Sequence, residues 1–304
     1  MIYTITLNPS VDLIVDIDDL KIGKLNRMEN DLKLPGGKGI NISRVLRQLG
    51  MPSVASGFLG GFTGDFIDEW LEREDIHRGF TKIADDTRIN IKLINQDETY
   101  INGKGPNVSV REIQDLLYYL SRVGEGDTVI MTGSIPPTVD TEIYDRIIGI
   151  CKANKAQFYL DAPYKILKKF IDKKPLLLKP SISQIERIYD VKINSIEEVI
   201  PYGERLVKDG VKFVLLPLDE EGSLLFSKDG IYKSAKLEEK LINKVGSKDS
   251  MVAGFISSFI KTSDICQSYK VAVAAGLATG LTKDLAKRYE IEDIMGKVEI
   301  TKIK

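Results

Sequence analysis

The chain has 304 residues, 43% of them hydrophobic and 29% charged, which is enough apolar content for one large domain or two ordinary ones. Forty-three basic residues against 44 acidic ones leave a net charge of −1, which argues against a general binder of nucleic acid or of a membrane surface. The only histidine, His77, lies in the charged stretch EREDIHRG. This position predicts a solvated surface side chain, and a single histidine excludes a multi-histidine metal site.

The cysteines and the N-terminus bear on the cellular compartment. Cys151 and Cys266 lie far apart without a paired spacing, which predicts buried thiols in a reducing compartment rather than a disulfide or zinc framework. The N-terminus, MIYTITLNPS, begins as a strand and lacks a basic region followed by an apolar signal core. No apolar run approaches the roughly 18–20 residues that span a bilayer. We therefore predict a cytoplasmic protein.

Apolar runs of strand length alternate with segments of helical period along the chain. The predicted strands are Ile2–Leu7, Ser53–Phe58, Thr128–Thr132, Gln157–Leu160, Leu176–Leu178, Phe213–Pro217 and Ser223–Phe226. The predicted helices are Gly39–Leu49, Asp65–Glu74, Val110–Val123, Thr141–Ala153, Ser195–Asp209, Ser250–Ile260 and Ile265–Leu281. Such alternation is typical of an α/β protein with a mostly parallel sheet and helices on both faces, in which ligands bind at the carboxyl ends of the strands.

Two segments, Val11–Asp18 and Arg88–Ile101, interrupt this alternation because they are β-rich without an intervening helix. The second resembles a hairpin that turns at Asn95–Asp97. We predict that both form a small accessory sheet over the mouth of the main domain, with one apolar face to bury against substrate, a second subunit or both. No repeat or linker divides the chain, so residues 1–304 are predicted to form a single domain whose lid covers about 11–35 and 87–103.

The motif LPGGKGINISRVL places three glycines before a predicted helix. Gly36, Gly37 and Gly39 permit close approach of the backbone to a ligand, Lys38 adds a positive charge, and Asn41 lies one turn into the helix. The motif matches neither a P-loop nor a dinucleotide-binding fingerprint. A tight turn that merely starts a helix is the alternative interpretation.

Three other segments place polar residues at strand ends. Asp12 in TLNPSVD could accept hydrogen bonds from sugar hydroxyls or could be a turn residue. Arg88 in DDTRIN is a candidate for a bidentate phosphate contact, and its alternative is a solvated arginine on an edge strand. Ser134 in TGSIPP is placed to contact a ligand. The loops after LLLKPS and VLLPLDEEG are predicted to line the same edge of the sheet.

The stretch KVGSKDSMVAGFI resembles a phosphate-binding turn before a helix. Gly246, Ser247 and Lys248 would provide the turn, and Asp249 would sit at the helix N-terminus, where backbone N–H groups bind anions. Asp249 could simply be an N-cap carboxylate, which is a common role. Beside an anion site it could instead accept the proton of a hydroxyl group that attacks a phosphoryl group.

Taken together and in this order, TLNPSVD, PGGKGINISR, TRIN and DSMVAGF resemble the motifs of the ribokinase-like PfkB carbohydrate kinases, from Thr6 to about Gly280. The branch that they most resemble contains the 1-phosphofructokinases and tagatose-6-phosphate kinases. The resemblance implies a central sheet between helices with a β-lid that often pairs two subunits into a homodimer. It also implies ATP-dependent phosphorylation of a sugar phosphate, with a divalent cation, Mg²⁺, on the ATP phosphates.

The resemblance also assigns roles to residues. It implies that Asp249 is the catalytic base, with Gly246, Ser247 and Lys248 beside it. The implied sugar-phosphate ligands are Asp12, Gly37, Lys38, Asn41, Arg88, Asn90, Arg27 and Ser134. The implied ATP contacts are Lys179, Ser181, Asp219, Gly222, Gly246, Ser247 and Lys248. No metal site built from the chain's own residues is implied.

The departures from the family pattern cluster on the nucleotide side. Where the family has KPNxxE this chain has KPSISQ, so that Gln184 replaces a carboxylate that organises the metal network. A usual Ser-x-Gly is replaced by Pro217-Leu218-Asp219, and an LDTSG type of segment is Leu160-Asp161-Ala162-Pro163-Tyr164. The usual GxGD is GSKD, which puts Lys248 in place of a glycine.

Two interpretations of Lys248 compete. In the favoured one the enzyme is active and the ammonium group stabilises charge on the transferring phosphoryl group. In the other, the lysine blocks the anion site, and the chain is a weak kinase or a sugar-phosphate-binding sensor. The lid segments TRINIKL and ETYINGKGP resemble the fructose 1-phosphate branch more than the tagatose 6-phosphate branch, which stays open as the alternative substrate.

Overall fold

The computed structural model describes residues 1–95, 98–218, 221–236, 241–243 and 245–304. The strands are β1 (Ile2–Thr6), β2 (Ser10–Asp16), β3 (Asn30–Gly36), β4 (Ser53–Gly60), β5 (His77–Ile83), β6 (Arg88–Ile94), β7 (Glu98–Asn102), β8 (Thr128–Thr132), β9 (Gln157–Asp161), β10 (Leu177–Leu178), β11 (Phe213–Pro217), β12 (Ser223–Ser227), β13 (Gly230–Ser234) and β14 (Ile300–Lys302). The helices are α1 (Lys38–Gln48), α2 (Gly61–Arg73), α3 (Val110–Leu120), α4 (Glu142–Ala153), α5 (Tyr164–Phe170), α6 (Ile182–Tyr189), α7 (Ile196–Lys208), α8 (Ser247–Thr262), α9 (Ile265–Gly280) and α10 (Arg288–Met295).

The large sheet has ten strands in the order β14-β13-β12-β11-β10-β9-β8-β1-β4-β5. The strands from β11 to β5 in this order are parallel, whereas β12, β13 and β14 pair antiparallel at one edge. The chain runs from β1 outward to β4 and β5 and then returns to β8 on the other side of β1. The strand order therefore reverses between β1 and β8, where α/β folds open a crevice for ligands.

Successive side chains of the buried strands point to opposite faces of the large sheet, and both faces are apolar, which explains why helices cover both. On β11, Val214 and Leu216 pack in one hydrophobic cluster with residues of α3 to α7. Phe213 and Leu215 point the other way, into a cluster with residues of α1, α8, α9 and α10. The mostly parallel, doubly covered sheet predicted from the sequence is confirmed.

The smaller sheet has the strand order β3-β2-β6-β7. β2 pairs in parallel with β6, and this register sets Asp12 opposite Asn90. Large apolar side chains are exposed on these strands and on the segment that joins β2 to β3; they include Ile22, Leu25, Met28, Leu32, Ile89 and Ile101. The predicted accessory sheet is thus present, although part of its predicted turn, residues 96 and 97, lies outside the described residues.

Several elements differ from the sequence-based expectations. β3 was predicted only as part of the lid range and not as a strand. The elements β5, β13, β14, α5, α6 and α10 were not predicted, because none carries a continuous apolar run or a sustained periodic pattern. α2 begins at Gly61 rather than Asp65, and α8 begins at Ser247 rather than Ser250. His77 is exposed as predicted, but it begins an edge strand instead of lying in a loop.

The two thiols lie in different environments. Cys151 is buried in the α4 side of the core, whereas Cys266 is exposed at the start of α9. The expectation of two buried thiols is therefore wrong for Cys266. Among the described residues, no helix combines the length and the apolar character that crossing a bilayer requires.

Candidate active site

Asp249 lies at the carboxyl edge of the large sheet, where the N-termini of α1 and α8 meet the loops after the central strands. It is the third residue of α8 and only 6% exposed. Gly246, not Asp249, caps the helix, in a left-handed conformation with φ 79°. The N-cap alternative for Asp249 is therefore wrong, and Ser247 and Lys248 belong to the first helical turn rather than to a preceding loop.

The surroundings of Asp249 tune its acidity. Burial raises the pKa of the carboxyl group to about 6 from its ordinary value of 3.8, and the charge of Asp161 adds to the effect. The charges of Lys179 and Lys38 oppose it, as does the hydrogen bond from Asn41 Nδ2 to Asp249 Oδ2 at 3.1 Å. A carboxyl group with a pKa of about 6 is mostly deprotonated at physiological pH. It is also a stronger base than an ordinary carboxylate, which suits it to accept a proton during a reaction.

Asp161 joins two lysines beside Asp249. Lys38 Nζ donates to Asp161 Oδ2 at 2.7 Å, and Lys179 Nζ lies 3.8 Å from the same oxygen. Burial alone would lower the pKa of Lys38, but the nearby carboxylates of Asp161 and Asp249 outweigh burial and raise it. The sequence prediction noted Asp161 only as part of a departure from the family pattern. The available signal was its position at the carboxyl end of the buried strand β9.

The sugar side of the site is built on the pairing of β2 with β6. Asp12 Oδ1 accepts hydrogen bonds from Ser10 Oγ at 2.6 Å and from Asn90 Nδ2 at 2.9 Å. Burial raises the pKa of Asp12 against these bonds and against the charge of Arg88. Gly36 packs directly against the Asp12 carboxylate, so that any Cβ at this position would collide with it. The close packing of the Gly36 backbone against the Asp12 carboxylate thus explains why a glycine occupies this position.

Arg88 and Ser134 approach the same region from opposite sides of the crevice. Arg88 Nη1 donates to the carbonyl oxygen of Gly103 at 2.9 Å. The buried Asn8 bridges the two sides, since its Nδ2 donates to the Lys104 carbonyl at 3.3 Å and to Ser134 Oγ at 3.4 Å. Sequence reasoning missed Asn8 and Lys104, although both lie in motifs that it quoted.

Arg27 is not brought into this cluster. It is exposed on the segment between β2 and β3, and within the described residues no polar contact joins it to Asp12, Arg88 or Ser134. Gly37 and Asn41, by contrast, lie at the N-cap and in the first turn of α1. The glycine motif therefore spans the gap between the Asp12 cluster and Asp249.

The nucleotide-side residues are more dispersed. Lys179 is buried beside Asp161, whereas Ser181 caps α6 and accepts from the Gln184 backbone N–H at 3.2 Å. Gln184 completes this capping box and also donates from Nε2 to the Ala162 carbonyl at 3.0 Å. Its side chain therefore anchors α6 to the loop after β9.

The other predicted nucleotide contacts lie in the loop between β11 and β12. Gly222, with φ 87°, precedes β12, and Asp219 lies outside the described residues.

The helix that carries Asp249 offers an anion site beside the buried carboxylate. α8 has 16 residues, and Gly246 at its N-cap leaves the first backbone N–H groups without a side-chain cap. Ser247 Oγ turns away to donate to the Gly276 carbonyl at 2.8 Å, and Lys248 is exposed at the second helical position. Amides and the helix dipole at such a terminus stabilise a phosphate group.

Comparison with known proteins shows the family to which the chain belongs. Residues 5–286 match the model of the pfkB family of carbohydrate kinases. A 1-phosphofructokinase from Bacillus subtilis is 39% identical, and a tagatose-6-phosphate kinase from Staphylococcus epidermidis is 30% identical, each with 100% of both chains covered. A structure of phosphofructokinase-2 from Escherichia coli with substrates and products shares the fold at TM-score 0.93 and 22% identity, covering 97% of this chain and 98% of that chain. The chain therefore belongs to the PfkB family of carbohydrate kinases, phosphotransferases with an alcohol group as acceptor.

Proposed function

We propose that this chain is a 1-phosphofructokinase, which converts fructose 1-phosphate and ATP to fructose 1,6-bisphosphate and ADP. The observation that carries the proposal is the buried carboxylate of Asp249 at the N-terminus of α8, with Lys38 and Lys179 close enough for their positive charges to oppose the rise of its pKa. Base, cations and helix terminus together supply what phosphoryl transfer needs, which is positioning and charge neutralisation. The similarity to a protein named 1-phosphofructokinase supports the choice of sugar.

In this proposal Asp249 accepts the proton of the attacking sugar hydroxyl group. Loss of that proton makes the oxygen a better nucleophile, and the hydroxyl group then forms a bond to the γ-phosphorus as the bond to ADP breaks. Asn41 orients the carboxylate through its hydrogen bond to Oδ2. Burial raises the pKa of Asp249 to about 6, which is still below neutral pH, so the base is mostly deprotonated there.

The anion hole is assigned to the N-terminus of α8. Backbone N–H groups at Gly246 and Ser247 would hold the transferring phosphoryl group, and Lys248 would add a positive charge from the second helical position. Its exposure supports a cation that can approach the nucleotide. Losing one such donor typically costs about 3–4 kcal/mol of the activation barrier.

The sugar phosphate would lie across the smaller sheet. Asp12 and Asn90 form a hydrogen-bonded pair suited to sugar hydroxyls, supported by Gly37 and Asn41 from α1. Lys38 would contact the sugar where it faces the transferring phosphoryl group. Arg88 and Ser134, on opposite sides of the crevice, would hold the phosphate already on the substrate, with Arg27 as a further contact from the exposed segment.

ATP with Mg²⁺ fits the residues on the other side of Asp249. Lys179, Ser181 and Gly222, with Asp219, would line the nucleotide, which supplies the phosphoryl group. No group of three or more histidine, cysteine, aspartate or glutamate side chains suited to a metal occurs among the described residues. Mg²⁺ would be held mainly by the nucleotide phosphates, because Mg²⁺ keeps several waters and needs only one or two carboxylates besides phosphate oxygens.

The same proposal includes the domain organisation, the oligomeric state and the cellular location of the protein. We take residues 1–304 to be one kinase domain with its lid at about 11–35 and 87–103. The exposed apolar side chains of the smaller sheet, such as Leu32 and Ile101, would be buried in a homodimer formed through the lid. A cytoplasmic location fits a substrate and a nucleotide that are both found there.

A coupled assay of ADP release tests the proposed reaction. Fructose 1-phosphate, fructose 6-phosphate, tagatose 6-phosphate and unphosphorylated fructose are compared at equal concentrations, and fructose 1-phosphate should give the highest kcat/KM. The same assay with Lys248→Ala and Lys248→Gly should show a lower turnover or a higher KM for ATP. Parent-like kinetics in both variants would refute the cation role, and faster turnover would show that the lysine obstructs the site.

Tagatose 6-phosphate is the second candidate, because a tagatose-6-phosphate kinase also aligns with the whole chain. A higher kcat/KM with this sugar would replace the substrate assignment while keeping the enzyme class. Binding of sugar phosphate in calorimetry without any ADP release would instead indicate a sugar-phosphate sensor. Sedimentation at two concentrations tests the homodimer.

A further inference from the structure

Asp161 is a carboxylate near Asp249 to which neither the motifs nor the resemblance gives a role. It ends β9, between β8 and β10 in the sheet, and is only 8% exposed. Its Oδ2 atom accepts a hydrogen bond from Lys38 at 2.7 Å and lies 3.8 Å from Lys179 Nζ. A buried carboxylate with two lysines on one oxygen is a built ion cluster rather than a surface ion pair.

The two lysines need such an anchor for different reasons. The Lys179 side chain is only 7% exposed, and a buried ammonium group without a counter-charge would be strongly destabilising. The Lys38 side chain is 47% exposed, so its ammonium group is open to the cleft. A lysine has four rotatable carbon–carbon bonds and a compact charge, so an exposed one has no fixed position of its own. The hydrogen bond to Asp161 supplies that position.

The start of α1 also lies beside Asp249, because Asn41, in the same helical turn as Lys38, donates to Asp249 Oδ2 at 3.1 Å, and the charge of Asp249 adds to that of Asp161 in raising the pKa of Lys38. Lys38 is the first residue of α1, whereas Asp249 is the third residue of α8. The ammonium group that Asp161 holds is thus near the proton-accepting carboxylate and the N-terminus of α8. Negative charge that develops on a transferring phosphoryl group would therefore meet an already positioned cation, which is the arrangement that lowers the barrier most.

We propose that Asp161 is a positioning residue, which fixes the ammonium group of Lys38 at the point of phosphoryl transfer while it neutralises Lys179. The inference rests on the proposed function and adds to it a residue that touches no substrate. Lys38 then acts as a catalytic cation rather than only as a sugar ligand. Removing the anchor should lower kcat more than it raises KM, because the substrate-binding groups at Asp12 and Arg88 remain in place.

Asp161→Asn tests this because it keeps the size of the side chain and removes its charge. Its matched control is Asp145→Asn, which removes the carboxylate of an exposed pair with Lys169 that has the same 2.7 Å separation. We expect kcat to fall about 10- to 100-fold in Asp161→Asn, as is typical when the partner that orients an active-site group is lost. The control should stay within about twofold of the parent. Equal kinetics in the two variants would overturn the proposal.

A double-mutant cycle asks whether Asp161 acts through Lys38. If it does, Asp161→Asn in the background of Lys38→Gln should cost little beyond Lys38→Gln alone, whereas independent roles would multiply the two losses. Asp161→Glu keeps the charge but moves it by one methylene. Its kcat should fall at a parent-like melting temperature, and parent-like activity of this variant would refute a positioning role.

A readout without substrate separates this inference from the proposed function. In ¹⁵N-lysine-labelled protein, the Nζ signal that disappears in Lys38→Gln identifies Lys38, and its ion pair should slow the exchange of its protons with water. The slow signal should be lost in Asp161→Asn and kept in Asp145→Asn. Its persistence in Asp161→Asn would overturn the anchor. Absence of turnover in the parent with all four sugars would refute the proposed function alone.

Discussion

Replacing Asp249 with asparagine should abolish most activity and at the same time stabilise the fold. Asparagine keeps the shape of the side chain but cannot accept the proton of the sugar hydroxyl group, so kcat should fall about 100- to 10,000-fold. The change in stability follows from burial, which raises the pKa of Asp249 from 3.8 to about 6. A raised carboxyl pKa means that the folded state disfavours the charge relative to the unfolded chain.

The sign and size of this effect depend on pH. Below the unfolded pKa of 3.8 the carboxyl group is neutral in both states and there is no penalty. As the pH rises above that value the unfolded chain ionises first, and the penalty grows until the pH exceeds about 6. One pKa unit corresponds to about 1.4 kcal/mol, so the two-unit shift destabilises the fold by about 3 kcal/mol at about pH 8 and about 1.6 kcal/mol at about pH 5.

Denaturant unfolding of Asp249→Asn and the parent, followed by circular dichroism at both pH values, measures the difference. The variant should gain up to about 3 kcal/mol at the higher pH and less at the lower one, equivalent to about 5 °C in Tm for a chain of this length. Asp145→Asn, at an exposed ion pair, should change the unfolding free energy by only a few tenths of a kcal/mol. A variant less stable than the parent at the higher pH, or an equal gain at both, would refute the desolvation argument.

Three further predictions concern pH, a buried ion cluster and a helix cap. The kcat/KM of the parent should rise with pH through a single ionisation near pH 6, because Asp249 is the base only when deprotonated; a flat profile from pH 5 to 8 would contradict this. Arg44, which is 7% exposed, donates to the carboxylates of Glu74 and Asp284. Arg44→Met should therefore destabilise the fold by about 1–3 kcal/mol in denaturant titrations. The loss is limited to this range because the two carboxylates are partly exposed and water can solvate them. Gly246→Ala should destabilise the fold by about 1–2 kcal/mol in the same titrations, because the left-handed φ of 79° at this N-cap disfavours a Cβ; an unfolding free energy equal to that of the parent would contradict this.

The sequence by itself determined the layers of the fold. Strands such as Thr128–Thr132 and Phe213–Pro217 were predicted with their observed bounds, because a fully buried strand is a short apolar run that local pattern reveals. The smaller sheet was also predicted, since β-rich segments without a following helix cannot continue the parallel alternation. Short, partly charged elements such as β5 and α6 gave no comparable pattern and were missed.

The glycine motif and the GSKD stretch identified candidate residues but not their partners. Sequence reasoning placed Asp249 at a helix N-terminus after a turn formed by residues 246–248 and left an N-cap as an alternative, whereas the helix already begins at Ser247 and the carboxylate is buried. Burial is a property of what packs above a residue. It is decided here by the N-terminus of α1 and by the ends of β9 and β10, none of which is close to Asp249 in the sequence.

Only the tertiary structure brought Asp161, Lys38, Lys179 and Asp249 together. They come from the end of β9, the start of α1, the loop after β10 and the start of α8, and they meet because parallel strands deliver their carboxyl ends to one edge of the sheet. Local pattern predicts which segments are strands and helices, since that choice depends on neighbouring residues. Which charges face one another depends on the order of strands in the sheet, and that order minimises the free energy of the whole chain rather than of any one segment.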